Sequence, residues 1–319
     1  MEIFKKLKYL IKNIKKRLSF LLEVFKIKRL SKYLNSKYRY VMERYINADV
    51  PSDFSGEEYT VWVMWWQGEE QMPDVVKICY SSLKKYANGH QINLITKDNY
   101  KKYVEIPKFV LDKVDQQTIT LTHFSDILRV CLLSEYGGLW IDSTVLLTNN
   151  LPKKINTCYW TPRWKLMPKD YNIYKLWIGL WAISSVSKLT IQQCIPVWYS
   201  CKRNPLFLCL KDFWFDYCRK ENTIPYYWIT EVFLIGSMYD KIPMVKQITD
   251  NVPFNNELMF KDGLDSIANK PYKRNIISDI CANTQFHKFS YKSTFFEKDQ
   301  ETGEETLYGF LKRNGTDFH

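Results

Sequence analysis

The stretch that most restricts what this chain can become runs from Phe124 to Thr144 and reads FSDILRVCLLSEYGGLWIDST. Asp126 and Arg129 stand three apart, which puts them on one helix face, while Ile127, Leu128, Cys131, Leu132 and Tyr136 supply an apolar side at helical spacing. Gly137 and Gly138 come where a helix ends on a residue of positive φ. Leu139, Trp140 and Ile141 then read as a short buried strand that delivers Asp142 at its carboxyl end. Ligands of open α/β sheets collect at that end. The unit is suited to gathering two carboxylates and a guanidinium around one small polar ligand. Taken singly, its features also suit an ordinary helix-to-strand connection with a surface ion pair.

Vicinal sugar hydroxyls donate well to carboxylates, and a diphosphate asks for a cation, either a guanidinium or a metal ion held jointly by carboxylate and phosphate oxygens. A nucleotide sugar carries both parts. The order Ser125, Asp126, Arg129, Gly137, Gly138, Trp140, Asp142, Thr144 resembles the DXD-containing sugar-binding segment of GT-A glycosyltransferases. It is most similar to the bacterial capsular polysaccharide synthesis family and its relatives among the α-mannosyltransferase-like enzymes and the large clostridial toxin glucosyltransferases. The resemblance implies an α/β fold of GT-A type, with a Rossmann-like, mostly parallel central sheet flanked by helices. It covers roughly the hundred residues up to Pro152 and thins beyond Lys153.

On that resemblance, Asp126 and Arg129 are expected at sugar hydroxyls and Asp142 at sugar or ribose and at a Mg²⁺ or Mn²⁺ ion, with Ser125 and Gly138 in the same donor site. Thr144 departs from the D-x-D pattern, offering a hydroxyl where the second carboxylate would stand. Magnesium can be held by one carboxylate together with substrate phosphates, so a metal shell of Asp142, Thr144 and His287 is one expectation and a metal-free site using a basic C-terminal cluster is the other. The relatives with this arrangement are retaining, and no positioned general base stands out for an inverting reaction.

The rest of the chain arranges itself around this unit. Residues 1 to about 50 form a basic amphipathic segment in which Ile3, Phe4, Leu7, Leu10, Ile11, Ile14, Leu18, Leu21, Leu22 and Phe25 recur at helical spacing among lysines. Lysines interrupt every apolar run, so it does not span a bilayer, and it lacks the small-residue cleavage site of a signal peptide. It fits an anionic inner-leaflet surface, placing the protein in the cytoplasm and peripheral on the cell membrane, or else packs its stripe on the catalytic domain or another subunit. The formal net charge of +12 invites nucleic acid, but no Arg-rich tract, zinc-finger spacing or RNA-recognition signature directs such binding. Eight cysteines without a C-x-x-C pair read as reduced core thiols.

A catalytic domain is expected over 51–295. Tyr59 to Trp66 reads as its first buried strand, ending in Trp65, Trp66, Gln67 and Gly68; in the capsular family this W-W-x-G loop lies beside the nucleotide, so one tryptophan is expected at the base. A helix from Pro73 to about Tyr86 and a strand from Gln91 to Thr96 follow. Asp98 touches base or ribose, or caps the next segment. A short helix is expected over Ile106 to Asp115, strands over Thr144–Thr148, Tyr159–Trp164 and Trp177–Ser185, with Trp181 and Ser184 near an acceptor, and a helix from Ile191 to about Tyr217. Relatives carry an Asp near the acceptor where this chain reads IPYYWITE, leaving Glu231 as the nearest carboxylate, either catalytic or a structural acid. In GT-A enzymes a C-terminal His or Lys commonly closes over the diphosphate, which makes His287, Lys288 and Lys292 candidates. Residues 296–319 read as a flexible tail or short hairpin. The function that results is transfer of a sugar from a nucleotide-sugar donor to a lipid-linked or polysaccharide acceptor, with a non-catalytic nucleotide-sugar or glycan binder, or a membrane-peripheral scaffold, as rivals.

Overall fold

The structure, a computed structural model, describes residues 28–51, 58–162, 196–222, 229–234, 238, 241–250 and 263–318, together with 14, 18, 21, 22, 25 and 26 near the N-terminus. Its frame is a five-stranded sheet in the order β2-β1-β3-β6-β5. The strands are β1 (Val61–Met64), β2 (Ile92–Ile95), β3 (Gly138–Ile141), β5 (Tyr159–Trp160) and β6 (Val197–Ser200). β1 pairs in parallel with both β2 and β3, whereas β6 lies antiparallel between β3 and β5, so the sheet is mixed and only β6 runs against the rest. A second, two-stranded antiparallel sheet joins β4 (Val145–Leu147) to β7 (Phe286–Lys288).

Alternation along each strand explains why the sheet is buried on both faces. Trp62, Met64, Trp140 and Trp198 project into one core, shared with α5 (Leu121–Tyr136) and α6 (Pro205–Lys220). Val61, Val63, Leu139, Ile141, Val197 and Tyr199 project into the other, shared with α3 (Asp74–Tyr86) and α10 (Leu307–Asn314). The high aromatic content is spent largely here: Trp140, Trp198 and Trp214 are among the largest fully buried side chains.

The turn between α5 and β3 has a steric origin. Gly137 has φ +68° and donates its N–H to the Leu133 carbonyl to close the helix, and a Cβ on it would sit 2.6 Å from the Lys202 nitrogen. At Gly138, φ +94°, a Cβ would come within 2.4 Å of the Thr60 carbonyl oxygen. The glycine pair thus lets β3 approach β1 and β6 at once.

Three expectations are corrected. The apolar run read as one helix from Ile191 to Tyr217 is a strand, β6, and then a helix that starts at Pro205 behind the Asn204 cap, whose side chain accepts the Leu206 N–H; residues 191–195 lie outside the described residues. Pairing with β3 decides the strand, because Val197 to Ser200 cover Gly138 to Ile141. Residues 28–50 are not a segment apart: α1 (28–37) and α2 (Arg39–Glu43) bury Leu34, Tyr38, Val41 and Met42 against α6, and Tyr33, Lys37 and Tyr38 donate to Glu221. The expected tail is folded. Thr306 caps α10 by accepting the Gly309 N–H, Leu307 and Leu311 are buried, and Lys312 pairs with Asp74 on α3 at 2.9 Å.

Candidate active site

Chain order places β2 on one side of β1 and β3 on the other, so the direction in which the sheet grows reverses between β1 and β3. A cleft opens at the carboxyl ends of this pair, as such a switch point requires. It holds about 290 Å³. From β1 and the turn after it come Met64, Trp65, Trp66 and Gln67; from β3 and the turn after it come Trp140, Asp142, Ser143 and Thr144; from α5 come Leu121, Thr122 and Ser125; Pro73, Lys288 and Tyr291 complete the wall.

Asp142 is the hub. The Val145 N–H closes a turn on the Asp142 carbonyl at 2.9 Å, and the Asp142 N–H donates to the Pro196 carbonyl at 2.8 Å, so the residue is fixed by backbone on both sides. Its Oδ1 accepts from Arg129 Nη2 at 2.9 Å and from Trp140 Nε1 at 2.7 Å, and its Oδ2 accepts from Lys288 Nζ at 2.8 Å. Lys288 Nζ also donates to Thr144 Oγ1. Burial pushes the Asp142 carboxyl up, but Lys288 and Arg129 outweigh it and the group titrates below the ordinary range, so it is a carboxylate at neutral pH.

Behind Asp142 lies Arg129, whose side chain is only 4% exposed. Its Nη2 stands 3.2 Å from Asp126 Oδ1, and the guanidinium covers the Trp140 ring at 5.0 Å. The three residues singled out in the sequence therefore converge, but neither Arg129 nor Asp126 lines the cleft, and the expectation that both touch sugar hydroxyls is replaced by a supporting position behind Asp142.

Asp126 differs from its partner. Burial raises its pKa to about 7, against the pull of Arg129 and with a further push from Asp142. An acid whose folded value stands above its ordinary 3.8 takes up a proton on folding between those two limits, so the wild type loses stability as pH rises through that window. Asp126→Asn removes the titration. The variant's stability relative to wild type, from urea unfolding, is expected to climb between pH 5 and 6.5 by up to about 1.4 kcal/mol per pH unit. A flat difference across that range contradicts the assignment.

The remaining site expectations divide by place. Trp65, Trp66, Gln67, Ser125, Thr144 and Lys288 do line the cleft. Trp65 meets Tyr291 edge to face at 5.6 Å, and Trp66 is held against Phe124 and Tyr100. Gly68, φ +91°, shapes the turn after Trp65 rather than the cleft wall. Gly138 sits at the opposite end of β3 from Asp142, about 13 Å away at 3.3 Å per residue, and its role is packing. Asp98 is exposed in the turn after β2 and away from the cleft wall, while Asn99 makes the turn-closing bonds to Thr96 and Leu94.

His287 is a correction. It is fully buried, its Nδ1 accepts the Leu264 N–H at 3.2 Å, its Nε2 lies 3.3 Å from Thr148 Oγ1, and burial lowers its pKa to about 3. Consecutive strand residues face opposite ways, so His287 and Lys288 on β7 cannot both reach one ligand. Lys292 is exposed and outside the cleft wall, its ammonium over the Tyr291 ring at 5.8 Å. Trp181 and Ser184 lie outside the described residues, as does the side chain of Glu231, whose backbone belongs to α7 (Ile229–Phe233).

Trp140, Ser143 and Tyr291 were not foreseen as site residues. Trp140 stood in an apolar run, although its two-residue spacing from Asp142 on a strand already offered an indole N–H to the carboxylate. Tyr291 lies three residues beyond Lys288, and the fold sets its ring on the cleft wall against Trp65.

A metal shell of Asp142, Thr144 and His287 does not fit this arrangement. His287 is sealed away, both Asp142 oxygens have donors, and the Lys288 ammonium bridges Asp142 and Thr144. Among the described residues no cluster of three or more His, Cys, Asp or Glu side chains could hold a metal ion.

Comparison with known proteins bears on what such a cleft belongs to. Among solved structures the chain is similar to one described as PaToxG Glycosyltransferase, at 14% identity and a TM-score of 0.37, covering 85% of this chain and 96% of that one. It is also similar to a glycosyltransferase involved in the glycosylation of the major capsid of PBCV-1, at 11% identity and a TM-score of 0.32, covering 72% and 93%. Likeness this distant carries no conclusion about function. No curated protein matches significantly. The sequence itself matches the family described as Capsular polysaccharide synthesis protein over residues 9–311, a span that takes in every element around the cleft. The chain belongs to the capsular polysaccharide synthesis protein family.

Proposed function

We propose that the protein is a glycosyltransferase, that its donor is a nucleotide sugar of the UDP type, that the acceptor is a growing capsular, O-antigen or other surface glycan, lipid-linked or polymeric, and that the sugar moves with retention of configuration. The observation that supports this most is the make-up of the cleft, in which an aromatic rim of Trp65, Trp66 and Tyr291 stands beside a carboxylate, Asp142, and a cation, Lys288. The rim suits a flat base, Asp142 accepts from sugar hydroxyls, and Lys288 neutralises diphosphate. Asp142 is the one carboxylate among the described cleft-lining residues, and its three donors hold it as an anion occupied in bonding, so those residues offer no free base for an inverting attack. In the front-side reaction the bond from anomeric carbon to phosphate oxygen breaks, the acceptor oxygen bonds to that carbon on the same face, and its proton passes to the departing phosphate oxygen.

A panel of nucleotide sugars tested by thermal shift should show one nucleotide series raising the melting temperature, because ligand bound only to the folded state stabilises it by mass action. The stabilising donor should also be slowly hydrolysed. Stabilisation without turnover of any donor, with or without acceptor glycan, would favour a binding protein instead.

The N-terminal stretch supports a membrane-surface location on the cytoplasmic side. Ile14, Leu18, Leu21, Leu22 and Phe25 follow helical spacing and are 48% to 64% exposed, so the stripe is not spent on packing at those residues. Lysines beside it add about 1 kcal/mol each near an anionic surface. No helix among the described residues is long and apolar enough to cross a membrane. The full chain is expected to sediment with vesicles containing phosphatidylglycerol and to stay in solution with purely zwitterionic ones, and Leu18→Glu with Leu22→Glu should abolish the binding. Equal sedimentation with both vesicle types would contradict the electrostatic part of this reading.

A further inference from the structure

We propose, on the reading of this cleft as a nucleotide-sugar site, that the Lys288 ammonium occupies the place a divalent cation would take between Asp142 and Thr144. The donor diphosphate is then bound by a tethered side chain, and donor binding needs no metal.

The argument starts from register. In the β4–β7 ladder Lys288 lies opposite Val145, and the Phe289 N–H donates to the Thr144 carbonyl at 2.9 Å, so the lysine is stitched across from the turn that carries Asp142 and Thr144. His287 anchors the other face of the same strand through Leu264 and Thr148. A slip of one residue would exchange the two faces, which makes the position of the cation a property of the fold rather than of a loose tail.

The chemistry of the donor set leads the same way. A hard divalent ion at a D-x-T turn would use Asp142 Oδ2 and Thr144 Oγ1, since Arg129 and Trp140 already occupy Oδ1. Those two oxygens are the ones that accept from Lys288. An ion there would have to displace the ammonium or sit beside it, a like-charge contact at close range. An ammonium has three donors, and two are used on Asp142 and Thr144. The third remains for an anionic ligand, and Lys288 lines the cleft. Lysine is well suited to this as a compact point charge for phosphate.

The test is calorimetric titration of the full chain with UDP, GDP, CDP and ADP, in EDTA and again in Mn²⁺. One diphosphate is expected to bind in EDTA with a Kd within about threefold of its Mn²⁺ value. Lys288→Met, which keeps the stem, should weaken that binding at least about tenfold in EDTA, as loss of one charge-assisted hydrogen bond predicts, and Mn²⁺ should restore it by filling the vacated place. Wild-type binding that appears only with Mn²⁺ would overturn the inference and leave the donor reading standing. So would a variant that binds as well as wild type in EDTA, or one that Mn²⁺ fails to restore. Absence of binding by every diphosphate in both buffers would overturn the inference and the donor reading together. The wild-type comparison needs no variant, so the outcome does not depend on how well Lys288→Met folds.

Discussion

Replacing Asp142 by Asn is expected to slow sugar transfer about a hundred- to a thousandfold while leaving the affinity for nucleoside diphosphate within about threefold of wild type. The amide has the shape of the carboxylate but not its charge, and one of its two ends presents N–H groups to neighbours that are all donors: Arg129 Nη2, Trp140 Nε1 and Lys288 Nζ. Whichever way the amide turns, at least one donor loses its acceptor in a partly buried site. The geometry that holds a sugar hydroxyl against the carboxylate is lost, and with it the alignment of the anomeric carbon. The diphosphate suffers less, because Lys288 is released from its strongest competitor for phosphate. The two effects separate in steady-state kinetics combined with calorimetry. A variant that lost UDP affinity in proportion to rate would point to Asp142 acting mainly on the diphosphate side, and one with unchanged rate would remove it from the chemistry.

How much of this could be read from residues alone depended on the range of the interactions that decide each element. The unit from Leu121 to Asp142 was legible because every local signal agrees: apolar spacing, Gly137 and Gly138 at a turn where any Cβ would collide with backbone, and a four-residue strand. The strand ending in Trp65 and Trp66 was legible for the same reason, and the carboxyl-end rule then located the cleft. β6 was not. Val197 to Tyr199 is an apolar run too short to show a period, and the choice of strand is made by pairing with Gly138 to Ile141, far back in the chain. Asn204-Pro205 was the signal that could have placed the helix start. The C-terminal helix was hidden for another reason: Thr306 and Gly315 mark its ends and Leu307, Tyr308 and Leu311 give it an apolar side, but at eight residues it is too short for a clear period, and its burial is decided by the core it shares with α3. At the site, sequence could name Lys288 but not choose it over His287, since the choice is a matter of strand register and burial.

Arg129→Met is expected to cost about 3–5 kcal/mol of folding stability at pH 8, more than any other change to the site, because it leaves carboxylates without a partner they cannot replace with water. The side chain is nearly sealed, and its guanidinium serves Asp142 at 2.9 Å and Asp126 at 3.2 Å while resting on Trp140. Arg129 Nε is buried with no hydrogen-bond partner, so the residue is kept for its charge and its fork of nitrogens rather than for complete satisfaction. Methionine fills much of the volume, which confines the loss to electrostatics. Asp142 retains Lys288, but Asp126 has no other cation bonded to it among the described residues and already titrates near neutrality. Without Arg129 its carboxyl is pushed further up and protonates, a relief that grows as pH falls. The penalty should therefore shrink on going from pH 8 to pH 5.5, and the double variant Arg129→Met with Asp126→Asn should recover part of it at pH 8 by removing the orphaned charge. Urea unfolding of the two single variants, the double variant and wild type at both pH values gives the coupling directly. Additive effects at pH 8, with no dependence on pH, would mean that Arg129 acts on Asp142 alone and that Asp126 is an independent member of the helix face.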